Sequence, residues 1–230
     1  SKGPPLVVAD PTFGQPETQT IGKTLTQSKI RPTTKRRSSI TSTQSIADTY
    51  FAPLAGTALE ARSIQEIFPD ASSVTGARAT ESSLKSVSGP KLLHIATHGF
   101  FLKGTDAVSR NLPTRSGTFG KGRENPLLRS GLDLAGANRH GSGPDDGILT
   151  ALEASGLDLW GTKLVVLSAC DTGVGEVRNG EGVYGLRRAF VLAGAESLVM
   201  SLWPVSDGFT RELMAGYYKN LKQGIGRGES

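Results

Sequence analysis

The sequence predicts an α/β fold in which a mainly parallel central sheet carries helices on both faces. Short apolar runs, the clearest at residues 92–96 and 164–167, end in small or polar residues, which is typical of strands buried on both faces. Segments with helical periodicity alternate with these runs, as in consecutive strand–helix–strand units. A chain of 230 residues is long enough to build one such domain.

The first elements follow in order. Residues 6–9 form an apolar run that predicts a first strand. Residues 54–68 carry apolar side chains near helical spacing, and Pro69 ends this predicted helix. Val74 lies in a short second strand, and Thr80 fits the N-cap of a short helix. The third predicted strand begins at residue 91.

The second half of the chain continues the alternation. Residues 132–135 alternate apolar and polar, which predicts a half-buried strand. Thr150 and Glu153 have the spacing of a capping box at the start of a helix. After the strand at 164–167, a helix is predicted at 183–193 and a buried strand at 197–203.

A last helix is predicted at residues 209–222. Four apolar side chains recur at a spacing of four and define the face expected to pack on the core: Phe209, Leu213, Tyr217 and Leu221.

Two segments carry most of the positive charge. Residues 18–47 hold six basic and no acidic residues, and residues 103–129 hold six basic and two acidic, in a chain of net charge +5. Basic loops can attract nucleic acid, but solvated, solubilising loops are the preferred explanation. Residues 14–49 lack periodicity and predict a mobile basic insertion within a single domain spanning 1–230. Because the chain does not begin with Met, we expect it to be a fragment of a longer protein.

The strongest chemical signal is a cysteine and a histidine, each at the end of a predicted strand. Residues 163–175 read K-L-V-V-L-S-A-C-D-T-G-V-G and contain Cys170, the one cysteine of the chain, while residues 91–101 read K-L-L-H-I-A-T-H-G-F-F and contain His98. If the two strands are parallel neighbours, both residues lie at one edge of the sheet, where ligands bind. A thiolate beside an imidazole is the arrangement that cysteine nucleophilic catalysis requires. His94, inside the strand, is predicted to be packed and hydrogen-bonded.

These two motifs resemble the CHAT family of caspase-like cysteine peptidases, which is related to caspases, metacaspases and separase. Four further segments resemble the family in its order: E-N-P-L-L-R-S-G-L-D-L-A-G-A-N, D-G-I-L-T-A-L-E-A-S-G-L-D-L, G-E-G-V-Y-G-L-R-R-A-F-V-L-A-G-A and S-L-W-P-V-S-D. The resemblance implies a caspase-like three-layer fold and a cysteine endopeptidase that cleaves a protein substrate through a Cys170–His98 dyad and an acyl-enzyme. It implies that the backbone N–H groups of Gly99 and Cys170 form the oxyanion hole. It also implies control by a TPR or other regulatory module in the same chain or complex.

The segment S-L-W-P-V-S-D contains the candidates for substrate selection. It is similar to a stretch of separase whose aspartate recognises a basic P1 residue, so the resemblance implies that Asp207 accepts an arginine or lysine side chain and that Trp203 forms a pocket wall. The alternative is that Asp207 caps the last helix.

Other classes of function receive little support. Three histidines and one cysteine have no metal-ligand spacing, so neither a metal nor another cofactor is expected. Gly22 of a G-K-T sequence lacks the preceding glycine of a phosphate-binding loop. A lone cysteine fits a reducing, cytoplasmic compartment, and no apolar stretch approaches the length of a membrane span. The remaining alternative is a catalytically silent scaffold or protein-interaction module.

Overall fold

The structure is a computed structural model that describes residues 3–15, 49–101, 125–141, 143, 145–171, 181–201 and 207–229. The strands are β1 (Leu6–Pro11), β2 (Ser72–Gly76), β3 (Leu92–Phe101), β4 (Ser130–Asp133), β5 (Ile148–Thr150), β6 (Leu164–Asp171) and β7 (Leu198–Met200). The α-helices are α1 (Ala55–Ile67), α2 (Glu81–Lys85), α3 (Ala151–Ala154), α4 (Glu181–Leu192) and α5 (Asp207–Lys222). Two short 3₁₀ turns lie at Pro126–Leu128 and Ala137–Arg139.

All seven described strands form one sheet around β3. Strands β2, β1, β3, β6 and β7 are parallel neighbours in that order. Strand β4 pairs antiparallel with β3, and β5 pairs antiparallel with β4. The prediction of a mainly parallel sheet is therefore confirmed.

Helices cover both faces of this sheet. On one face α1 and α5 pack against the strands through a core cluster that includes Ala61, Ile64, Met214 and Tyr218. On the other face α2, α3 and α4 contribute a second cluster that includes Leu84, Ala154, Leu186 and Phe190. Burial of such apolar faces on both sides of the sheet is the main force that holds the three layers together.

The predicted helix starts are confirmed at both capping positions. The Thr80 side chain accepts a hydrogen bond from the backbone N–H of Ser83 at the start of α2. Thr150 and Glu153 form a complete capping box at the start of α3. Each cap satisfies N–H groups that the first turn of a helix leaves without partners.

The apolar face predicted for the last helix packs on the core only at Tyr217 and Leu221, which are partly buried. Phe209 and Leu213 are 78% and 71% exposed, whereas Thr210, Met214 and Tyr218 are buried. The buried stripe is thus displaced by one residue from the predicted one. Packing against α1 and the sheet selects this stripe, which apolar spacing alone did not identify.

Two strands also differ from their predictions in burial. The segment predicted as half-buried contributes β4, in which every residue is buried. Strand β7 is shorter than predicted and half-buried, since β6 is its single partner among the described strands. Most of the basic insertion, residues 16–48, lies outside the described part of the chain, so its mobility and the domain boundaries stay predictions. No helix within the described ranges is long and apolar enough to cross a membrane.

Candidate active site

The pairing of β3 with β6 places the backbones of the two predicted catalytic residues side by side, while the side chain of Cys170 lies outside the described part of the chain. The parallel register runs from Leu92 opposite Leu164 to His98 opposite Cys170. Paired residues on neighbouring strands have backbones about 5 Å apart. The condition on which the dyad hypothesis depended, that the two strands are parallel neighbours, is therefore met.

His98 lies where β3 exchanges one neighbour for another. Strand β1 pairs with β3 as far as Ala96, and β4 pairs with it from His98 to Phe101. Neither His98 nor Cys170 follows the end of its strand, as the sequence had predicted, because β3 continues to Phe101 and β6 to Asp171. The site therefore lies where β3 changes its neighbour from β1 to β4, and not at the end of a strand.

The imidazole of His98 is oriented by one carbonyl and two aromatic rings. Its Nε2 lies 2.7 Å from the backbone oxygen of Ala52. A carbonyl only accepts hydrogen bonds, so Nε2 carries the hydrogen and, in the neutral ring, Nδ1 is the basic nitrogen. The rings of Phe13 and Phe51 lie 5.2 and 6.0 Å from the imidazole between centroids. Both rings are buried, so the half-buried histidine rests on a fixed apolar surface.

Asn138 holds these two aromatic residues in place, and the sequence analysis did not identify it. Its Oδ1 accepts from the backbone N–H of Phe51 at 2.8 Å, and its Nδ2 donates to the carbonyls of Phe51 at 2.8 Å and Gly14 at 3.1 Å. One buried carboxamide thus connects the segments that carry Phe13 and Phe51. An asparagine beside apolar residues in A-G-A-N was the available signal, since a buried amide must find backbone partners.

A second polar group lies beneath the site, between the sheet and helices α1 and α5. The Ser168 hydroxyl donates to Glu60 at 3.0 Å, and the other Glu60 oxygen lies 3.2 Å from His94 Nε2. His94 Nδ1 lies 2.7 Å from the Tyr218 hydroxyl. Burial and the Glu60 carboxylate raise the pKa of Tyr218 well above its usual range, so this phenol stays protonated. The prediction that His94 is packed and hydrogen-bonded is confirmed.

A small cavity opens next to this group, with a volume of about 10 Å³. Five of its seven lining residues are polar: Thr57, Glu60, Thr97, Ser168 and Thr210. The volume is enough for about one water molecule. Two of the lining residues come from the strands of the candidate dyad, since Thr97 immediately precedes His98 and Ser168 lies two residues before Cys170.

Asp133 is a further residue at the site that the sequence analysis did not single out. It pairs with His98 across the antiparallel β3–β4 ladder, is 0% exposed, and has no hydrogen-bond partner for either carboxyl oxygen among the described residues. Burial raises the pKa of Asp133 well above its usual range.

The remaining predicted site residues are placed only in part. Gly99 lies within β3, in register with Leu132 on one side and Asp171 on the other. Asp207 is the first residue of α5, but its side chain lies outside the described part of the chain, as does all of Trp203. Within the described ranges, no group of three or more histidine, cysteine or acidic residues could hold a metal ion.

Comparison with known proteins gives the family. The sequence is similar to tetratricopeptide repeat protein 28 from Homo sapiens, with 26% identity over 182 residues, which is 76% of this chain and 7% of that protein. It is also similar to the Mus musculus protein of the same name, with 36% identity over 78 residues, which is 34% of this chain and 3% of that protein. The chain therefore spans less than a tenth of the length of these relatives. The sequence model of the CHAT domain matches residues 1–230, the whole chain, and its caspase-like α/β architecture agrees with the sheet described above. The chain belongs to the CHAT domain family.

Proposed function

We propose that this chain is a cysteine endopeptidase domain that cleaves a protein substrate through Cys170 and His98. The observation that carries the proposal is the register of β3 and β6, which pairs these two residues directly. Membership of the CHAT family supports it, because the family is related to caspase-like peptidases.

The proposed reaction begins with proton transfer from the Cys170 thiol to Nδ1 of His98. The thiolate then attacks the scissile carbonyl carbon, and the carbonyl oxygen becomes an oxyanion that accepts hydrogen bonds from the backbone N–H groups of Gly99 and Cys170. The imidazolium returns its proton to the leaving amine as the C–N bond breaks, which leaves a thioester. His98 then removes a proton from water, and the resulting hydroxide displaces the thiolate and releases the acid product.

Ala52 has a defined part in this proposal. Its carbonyl accepts from Nε2, which directs Nδ1 toward the proton that has to be moved and favours the positively charged ring. No carboxylate is required for this orientation, because a carbonyl dipole also favours a donor with a positive charge.

Substrate selection and control are the finer parts of the proposal. Asp207 would accept a basic P1 side chain through a charge-assisted hydrogen bond, and Trp203 would form a wall of that pocket. The relatives carry the name of tetratricopeptide repeats, which supports a TPR module as the regulator of this domain.

A mixed peptide library tests the proposal. We expect the wild-type chain to cleave peptides and both Cys170→Ala and His98→Ala to lose cleavage, whereas His140→Ala, which removes an exposed histidine, keeps it. A cysteine-reactive acyloxymethyl ketone should label the wild type and His140→Ala at Cys170. A basic P1 residue would support the role of Asp207, and an apolar P1 would contradict it.

The same experiment separates the alternatives. Cleavage that persists in Cys170→Ala would refute the assigned nucleophile. Absence of both cleavage and labelling in the wild type would favour a catalytically silent scaffold. Labelling without cleavage would indicate a domain that needs its regulatory module.

A further inference from the structure

Three residues from three adjacent strands form one row across the sheet. Strand β6 supplies Cys170, β3 supplies His98 and β4 supplies Asp133, and His98 is in register with both of the others. The row exists because β4 becomes the neighbour of β3 where the pairing with β1 ends, between Ala96 and His98.

Asp133 lies on the same face of the sheet as the imidazole. Residues directly opposite each other in an antiparallel pair have Cβ atoms about 4.5–5.5 Å apart and share a face. On its other side Asp133 pairs with Ile148, which packs against the cluster of Phe13 and Phe51. These are the two rings that flank His98, so the register and the packing of Ile148 both place Asp133 on the part of the sheet face where His98 lies.

The carboxyl of Asp133 has no structural use that explains its burial. It is 0% exposed, and neither oxygen has a hydrogen-bond partner among the described residues. Burying a polar group without a partner destabilises a fold, and an apolar side chain would fill this strand position at no such cost. Burial raises the pKa of the group, and a positive charge nearby would favour its ionised form.

We propose that Asp133 is a positioning residue for His98, whose protonated imidazole it stabilises through its carboxylate. This inference rests on the proposed function, in which His98 becomes positively charged when it takes the Cys170 proton. As His98 gains its proton, Asp133 releases its own to solvent, and the two residues titrate as a coupled pair.

Other charged residues lie on the neighbouring elements but differ from Asp133 in position. They lie at the end of β1, on α1, in the second 3₁₀ turn, before β5 and at the end of β6: Asp10, Glu60, Arg139, Asp146 and Asp171. None of them is in register with His98. All of them remain in an Asp133 variant, so a change caused by that variant reports on Asp133 itself.

Titration of the histidine side chains by NMR tests the proposal without requiring turnover. The chain has three histidines, so the His98 signal can be assigned with a His98→Gln variant. We expect His98 to bind its proton about tenfold more weakly in Asp133→Asn than in the wild type, which is the effect of losing a partly screened charge at this range. Asp133→Val removes the charge with an apolar side chain suited to a strand and should give the same change.

The matched control is Asp145→Asn, which removes an exposed carboxylate that bonds Ser82 away from the row. It should leave the proton affinity of His98 within about twofold of the wild type. His140 should not change in any variant. A His98 affinity that changes by less than about twofold in both Asp133 variants would overturn the proposal.

A second measurement tests whether Asp133, through His98, affects the reactivity of Cys170. The rate of Cys170 alkylation by iodoacetamide, followed against pH, should lose about tenfold near neutral pH in Asp133→Asn and keep its wild-type profile in Asp145→Asn. If neither the wild type nor any variant cleaves peptides, the proposed endopeptidase activity is refuted. The His98 titration still decides whether Asp133 and His98 are coupled.

Discussion

The buried carboxamide of Asn138 offers the most direct test of how the site is held. Replacing Asn138 with Ala removes three hydrogen bonds at once, two to the backbone of Phe51 and one to the carbonyl of Gly14. Each lost bond costs about 0.5–1.5 kcal/mol, and a buried N–H left unsatisfied costs about 1–3 kcal/mol more. Because small movements let water reach part of the freed backbone, we expect a loss of about 2–4 kcal/mol in the free energy of unfolding.

The same substitution should affect His98 through the rings that support it. Without the carboxamide, the segments carrying Phe13 and Phe51 lose their connection, and the imidazole loses the surface that fixes it. Positioning errors of this kind cost catalysis up to about 10²-fold. We therefore expect the folded Asn138→Ala protein to label more slowly at Cys170 with the acyloxymethyl ketone.

Urea unfolding measures the change in the free energy of unfolding. The rate of Cys170 labelling in the absence of urea measures the effect on the site. Asn138→Asp is the informative partner, because it keeps the acceptor for Phe51 but cannot donate to the two carbonyls. Asn125→Ala, which removes an exposed side chain bonded to Leu127, is the matched control and should change stability by less than about 1 kcal/mol. The role assigned to Asn138 is refuted if Asn138→Ala unfolds within about 1 kcal/mol of the wild type and labels at the same rate.

Three further predictions concern point substitutions. Because burial raises the pKa of Asp133, the folded state holds this proton more tightly than the unfolded chain, so the free energy of unfolding should fall as pH rises above about 4. The urea midpoint of Asp133→Asn should lack this fall, and parallel pH profiles of the two proteins would contradict the prediction. Tyr218→Phe leaves Nδ1 of buried His94 without the phenol and should cost about 1–3 kcal/mol, measured by thermal unfolding, and an unchanged midpoint would count against this contact. Gly147 and Gly136 both have positive φ, at 90° and 97°, but an added Cβ meets backbone at 2.3 Å in the first and nothing within 4 Å in the second. Gly147→Ala should therefore destabilise by at least about 3 kcal/mol and Gly136→Ala by about 1–2 kcal/mol, and equal losses in urea would refute the steric argument.

The sequence was informative wherever local chemistry decides the structure. Thr80 and Thr150 cap helices because their hydroxyls reach N–H groups three residues away, and that relation is written in the sequence itself. The apolar run before Cys170 formed a buried strand because no polar residue interrupted it.

Features that depend on distant partners were not predictable in the same way. The buried stripe of α5 passes through Met214 and Tyr218 rather than Leu213 because α1 and the sheet lie on that side of the helix. The burial of Asp133 accompanies the position of β4 between β3 and β5, whose Ile148 packs against the cluster of Phe13 and Phe51. Periodicity records which residues alternate, but not which neighbour each face will meet.

The position of His98 shows how a change of strand partner can shape a site. In a sheet where β1 and β3 paired along their full lengths, the position beside His98 would belong to a parallel strand whose residues continue the core. Strand β1 instead ends its pairing with β3 where Ala9 lies opposite Ala96. The residue after Ala9, Asp10, has a positive φ of 49° and donates its N–H to Thr57 rather than to the ladder. The antiparallel strand β4 takes the vacated edge and brings Asp133 to the histidine. The irregularity of β1 at one aspartate thus coincides with the point at which Asp133 comes to lie beside the catalytic candidate.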